Sequence, residues 1–131
     1  MSATEVEQVL SAARHLLEVF GAHRRSDYFA CFAPDATFIF HTTPSTLGSR
    51  AEFEAEWDRW EREDGFRVLD CASRDQNVQM AGAVAIFTHR VATRVRSQGG
   101  ELTSNERETI VFQRDAGGRW LAIHEHLSPV P

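Results

Sequence analysis

Lysine is absent from this 131-residue chain: all 14 of its positive side chains are arginine. That removes a Schiff-base lysine and a phosphate-loop lysine from consideration. Arginine stays charged at any working pH, so only histidines and shifted carboxylates can move protons near neutrality. Cysteine is scarce as well. Cys31 and Cys71 are far apart and form neither a CxxC pair nor a zinc-ligand spacing. They read as reduced thiols of a cytoplasmic protein. There is one tyrosine, Tyr28, and so one phenolic donor. A basic excess is missing too: the net charge of −5 lacks the footprint of a nucleic-acid binder. The longest apolar run, Met80 to Phe87, is far short of a membrane span. The polar, acidic stretch Met1 to Gln8 predicts no secretory leader.

What is present suits one domain over residues 1–131, with 42% apolar residues to build a core. Thr4 and Glu7 have capping-box spacing, and Val6, Val9, Leu10, Ala13, Leu16, Leu17 and Phe20 follow at helical intervals up to Gly21. A short helix is expected from Asp27 to Phe32, ended by Pro34. Asp35 to Thr42 reads as a strand covered on both faces, and Thr43 to Gly48 as a loop. Ser49 and Glu52 repeat the capping-box spacing before a third helix. Phe53, Trp57 and Trp60 line one side of it, and Gly65 ends it. Four long strands follow at about 66–79, 83–97, 101–114 and 119–127, separated by glycine-containing turns. Three helices and then a meander imply an α+β layer, with helices packed on one face of a curved antiparallel sheet.

Two stretches carry a resemblance. They are Ala30-Cys-Phe-Ala-Pro-Asp-Ala-Thr-Phe38, and Glu108-Thr-Ile-Val-Phe112 running through Gly118-Arg-Trp120 to His124-Glu-His-Leu-Ser128. With the element order, they resemble the nuclear transport factor 2-like superfamily. That group includes SnoaL-like cyclases, ketosteroid isomerase and the association domain of calmodulin-dependent kinase. The resemblance implies a cystatin-like, cone-shaped barrel, its sheet wrapped on three N-terminal helices. It also implies a pocket for a small hydrophobic ligand and a homodimer built through the outer face of the sheet. Neither a membrane nor a cofactor is part of the expectation.

On the isomerase pattern, Leu16 falls at the tyrosine, Phe40 at the carboxylate base and Ile110 at the protonated acid. All three are apolar, so that reaction is not expected at those positions. On the association-domain pattern, Arg90 matches one pocket arginine, while Ile110 and Leu127 replace two others. A buried arginine needs a partner. Strand alternation therefore groups Arg90 with Glu108 and Glu125. Those two glutamates are the acid–base candidates, and Arg90 orients a ligand carboxylate, phenol or carbonyl; an ordinary surface salt bridge is the competing reading. The expected pocket is Leu16, Tyr28, Phe40, Trp57, Trp60, Arg90 and Ile110.

His124 and His126, two apart on a strand, project from one face, and His41 and His89 could join them. A shared metal would need a definite third ligand, so no metal site is assigned. Hydrogen bonding across the sheet or at a dimer face is the simpler account. His15 is expected in solvent and His23 in a loop. The expected function is binding of a small hydrophobic molecule, with isomerisation, cyclisation or dehydration if the protein is an enzyme. The alternatives are a non-catalytic association module and a histidine-dependent metal enzyme.

Overall fold

The computed structural model describes residues 4–131. Helix α1 (Glu5–Gly21) begins with the expected capping box: the Thr4 hydroxyl accepts from the Glu7 amide, and the Glu7 carboxylate accepts from the Thr4 amide. Its apolar stripe buries Val9, Ala13, Leu16 and Val19. Gly21 ends it where α1 meets the sheet: a Cβ there would lie 3.3 Å from both the Cβ and the amide nitrogen of Cys71. Helix α2 is a short turn at Arg25–Phe29, and strand β1 follows at once over Phe32–Phe40. Helix α3 (Arg50–Asp64) is capped by Ser49, whose hydroxyl accepts from the Glu52 amide. It stops at Gly65 with a left-handed φ of 62°, a conformation that glycine adopts freely.

Strands β2 (Arg67–Ala81), β3 (Val84–Ser97), β4 (Gly100–Arg114) and β5 (Trp120–Pro129) form an antiparallel meander. The five-stranded order is β1-β5-β4-β3-β2, and β1 joins β5 in parallel. The α+β class holds, but the cone-shaped barrel does not. β1 and β2 lie at opposite edges and do not pair with each other, so the sheet is open; it is neither closed nor strongly curled. Closure would require those edges to exchange backbone hydrogen bonds.

The helices cover one face of this sheet, α1 against β2, β3 and β5, and α3 against β1. Burial alternates accordingly. On β3, Ala85, Phe87, His89, Val91 and Thr93 point inward, while Arg90, Arg94 and Arg96 point out. β1 is not buried on both sides as expected: Phe38 and Phe40 face the core, but Ile39 is 37% exposed. Phe38 is fully buried, with its ring centroid 4.6 Å from that of Phe53 and 5.1 Å from that of Phe32. This stack fastens α3 to β1. Replacing Phe38 with alanine should cost about 3–5 kcal/mol in urea unfolding. A cost below about 1 kcal/mol would show that the α3–β1 contact is not packed in this way.

Candidate functional site

Between the helices and the inner face of the sheet lies a cavity of about 300 Å³. Its helical wall is aromatic and aliphatic: Leu16 and Phe20 of α1, Tyr28 of α2, and Phe53, Trp57 and Trp60 of α3. These rings hold one another. Tyr28 packs 5.6 Å from Trp57 and 5.0 Å from Phe20, and Trp57 stands edge-on to Phe66 at 5.0 Å. Such tilted and edge contacts suit aromatic quadrupoles and fix the wall's shape. The sheet wall carries Val91, Thr93, Glu108, Glu125 and Leu127.

Glu108 and Glu125 are the chemically distinctive pair. In the β4–β5 register Glu108 stands opposite Leu127, and Glu125 opposite Ile110, so the carboxyl groups are diagonal neighbours on one face. Both are buried, at 7% and 3% exposure. They hydrogen-bond to each other, which requires a proton between them. Burial pushes the Glu108 carboxyl up to about 7. Burial, together with the neighbouring Glu108 charge, holds Glu125 well above the carboxylate range. Glu125 is thus the protonated partner near neutrality, and its hydroxyl donates to Glu108.

A chain of donors supports this assignment. The Tyr28 hydroxyl donates to Glu125 Oε2 at 3.3 Å. On the other side, His89 Nε2 lies 2.6 Å from Glu108 Oε1, and His89 Nδ1 lies 2.6 Å from Ser73 Oγ. Burial lowers the His89 pKa to about 4, so the ring is neutral at ordinary pH. With Glu108 ionised, a neutral ring must carry its proton on Nε2 and accept from Ser73 at Nδ1. Gln76 Nε2 completes the chain by donating to Ser73 Oγ at 2.9 Å. A bulge in β2 between Arg74 and Asn77, with Asp75 at a φ of 56°, carries the backbone past Ser73 at this point.

The structure brings Leu16, Tyr28, Phe40, Trp57, Trp60, Glu108 and Glu125 together around the cavity. Arg90 is not among them. The register pairs Arg90 with Arg107 and His89 with Glu108, so Arg90 lies on the opposite face. Its side chain is 45% exposed, and its nearest acid is Asp75 at 3.9 Å. Ile110 is fully buried, in the core beside Glu125 rather than on the cavity wall.

His89 therefore leaves the expected histidine face: sequence reasoning set it beside His124 and His126, and the structure sets it against Glu108. His124 and His126 stay on the outer face, their rings 6.4 Å apart, with His124 Nδ1 2.8 Å from Thr37 Oγ1. Among the described residues, no group of three His, Cys, Asp or Glu side chains is placed to hold a metal ion. His41 pairs with Glu106, and His15 is exposed as expected. His23 does more than sit in a turn: its Nδ1 accepts from the Val68 amide and its Nε2 meets Glu61, tying α3 to β2.

A sequence model of the SnoaL-like domain matches residues 9–131. The chain belongs to the SnoaL-like family. Solved structures agree at the level of the fold, which is that of the nuclear transport factor 2-like superfamily. An NTF2-like protein from Cytophaga hutchinsonii superposes with a TM-score of 0.82 at 12% identity, covering 98% of this chain and 100% of that one. A ketosteroid isomerase-like protein from Erwinia carotovora atroseptica gives 0.81 at 15% identity, covering 99% of each chain. The calmodulin-dependent kinase II hub of S. rosetta gives 0.76 at 22% identity, covering 99% of this chain and 100% of that one. No curated protein matches the chain.

The buried carboxyls leave a mark on stability. The folded state keeps the Glu125 proton at pH values where the unfolded chain, with a carboxylate near 4.5, has released it. Folding stability then falls as pH rises, by up to about 1.4 kcal/mol per pH unit for one retained proton. His89, lowered from 6.5, acts in the opposite sense, but only below that value. The half-buried Cys71 thiol, pushed up to about 12, adds a further fall only above its ordinary 9.0. The window from 6.5 to 9.0 therefore isolates the carboxyl pair. In that window the thermal midpoint should fall with pH in the native protein, and Glu125→Gln should flatten the fall. A native midpoint that rises with pH would contradict a retained proton.

Proposed function

We propose that this protein binds a small hydrophobic molecule in the cavity between its helices and sheet, and that Glu108 and Glu125 exchange protons with it. The observation that carries the reading is the buried, proton-sharing carboxyl pair opening onto an aromatic cavity. An enclosed apolar pocket with a few convergent polar groups is the usual form of a small-molecule site. A pair holding one acid and one conjugate base can donate at one atom of a bound molecule and accept at another. A shift to about 7 keeps Glu108 close to the ambient pH, where such exchange is efficient. The reaction classes that fit are isomerisation, cyclisation and dehydration, each of which moves a proton without oxidation.

The same reading includes a homodimer formed through the helix-free face of the sheet, where His124, Arg107 and Thr109 lie. It includes a cytoplasmic setting, supported by the two free cysteines. No helix among the described residues is long and apolar enough to cross a membrane.

Thermal-shift screening with hydrophobic ring compounds tests the cavity. A stabilising compound should lose its effect on Leu127→Trp, which fills the sheet wall, while that variant melts within a few degrees of the native protein. An undiminished shift on a folded Leu127→Trp would place the compound elsewhere. For compounds bearing a carbonyl or hydroxyl, NMR in deuterated water should show deuterium entering at carbon, slowed about a hundredfold or more by Glu108→Gln. Exchange unaffected by Glu108→Gln would remove that residue from the chemistry.

A further inference from the structure

The charge of the cavity wall is one-sided. Asp64, Glu106, Glu108 and Glu125 reach it, and no arginine or histidine side chain lines it. This is notable in a chain with 14 arginines. The arginines are engaged elsewhere. Arg94 is paired with Asp70 and Glu101 on the outer face, Arg25 with Asp58, and Arg59 with Glu56 and Glu63. His41 meets Glu106, and His89 approaches Glu108 from the core as a neutral ring. No arginine is among the groups that set the ionisation of Glu108 or Glu125. Apart from His89, the groups that favour a negative charge on this pair act by hydrogen bonds, and none of them is an arginine.

The opposite wall is built of rings. Phe20, Tyr28, Phe53, Trp57, Trp60 and Phe66 all present surface to the cavity. Aromatic faces attract a cation through the ring quadrupole, most strongly when both are out of water. They attract no anion, and the carboxyls on the sheet side repel one. An anionic ligand would meet the charge of the carboxyl pair with no arginine in the wall to offset it. A cationic one would find a carboxyl counter-charge for its ammonium and rings for its apolar body.

We infer that the cavity takes a hydrophobic organic cation, such as a primary amine carried on an aromatic or alicyclic ring, with the rings enclosing its apolar body and the Glu108–Glu125 pair receiving its ammonium. This rests on the cavity being a ligand site and names the class of ligand that fits it. It replaces the expectation that Arg90 would orient a ligand carboxylate, phenol or carbonyl there. Pairing with an ammonium favours the ionised form of the carboxyls, so binding below neutrality expels a proton from them.

Phenylpropylamine, phenylpropanol and hydrocinnamate provide a matched series that differs only in the polar end. Titration calorimetry of the whole chain, at about pH 6 in two buffers of different ionisation enthalpy, reads affinity and proton release together. The amine should bind about tenfold or more tighter than the alcohol. It should release a large fraction of a proton per ligand, and the alcohol close to none. Hydrocinnamate should bind at least as weakly as the alcohol. The double variant Glu108→Gln/Glu125→Gln should abolish both the amine preference and the proton release, with retained alcohol binding showing that it is folded. The inference is overturned if the native protein binds the alcohol or hydrocinnamate as tightly as the amine, while the cavity as a ligand site survives. It is also overturned if a folded double variant still prefers the amine. If none of the three binds, both this inference and the hydrophobic-pocket reading on which it rests lose their support.

Discussion

Two carboxyl groups lie side by side under the helices with no arginine beside them, and much of the interior is arranged to make that tolerable. Removing a carboxylate from water costs several kcal/mol even after relaxation. Two adjacent charges would be prohibitive, so Glu108 and Glu125 hold a proton between them. The remaining charge is met by directed donors: His89 Nε2 on one oxygen of Glu108, and the Glu125 hydroxyl on the pair's inner edge. Each donor is positioned by a different element, with His89 on β3, Ser73 on β2 and Tyr28 on α2. The chain runs from the exposed Gln76 to the buried Tyr28, and among the described residues no buried side-chain polar atom lacks a partner. A half-satisfied network would cost more than an apolar core, so its completeness is itself a condition of folding.

Much of the fold was legible because local signals and tertiary demands agree. The two Ser/Thr caps set the starts of α1 and α3, and the apolar stripe of α1 sets the face it buries. Glycine-containing turns bounded four strands within a few residues of their observed ends. Two features were not local. The segment after α2 is strand from Phe32, earlier than Pro34 suggested, because it pairs in parallel with β5, an element far away in sequence. The openness of the sheet depends on whether β1 and β2 meet, and no residue in either strand encodes that. The family resemblance implied closure, and the strand order does not support it.

The site was legible in composition and misread in register. Six of the expected residues needed only to be apolar or acidic on an inward face, and together with Tyr28 they line the cavity. Arg90 needed a particular strand alignment. Shifting one strand by a single residue exchanges its faces, and the observed pairing puts His89, not Arg90, opposite Glu108. A signal was present: Arg90, Arg94 and Arg96 share one parity on β3, while Phe87, Val91 and Val95 share the other. Three arginines seldom share an inward face, so parity alone favoured solvent. His89 was hidden because it shares its parity with apolar residues and carries no motif.

Leu16, Phe40 and Ile110, which the sequence comparison set against the isomerase pattern, are apolar. Two of them, Leu16 and Phe40, pave the cavity, and Ile110 packs beneath it. The protonatable groups stand instead on the neighbouring sheet positions Glu108 and Glu125, with Tyr28 reaching down from the helical side. The cavity is polarised across its width: most of its rings lie on the helical wall, and the buried carboxyl pair lies on the sheet wall. A molecule entering it cannot place a polar end among the rings without losing that end's hydration. Nor can it place an apolar end on the carboxyls without stripping theirs. Desolvation would therefore orient an occupant before any specific contact forms, with its polar end toward the buried Glu108–Glu125 pair.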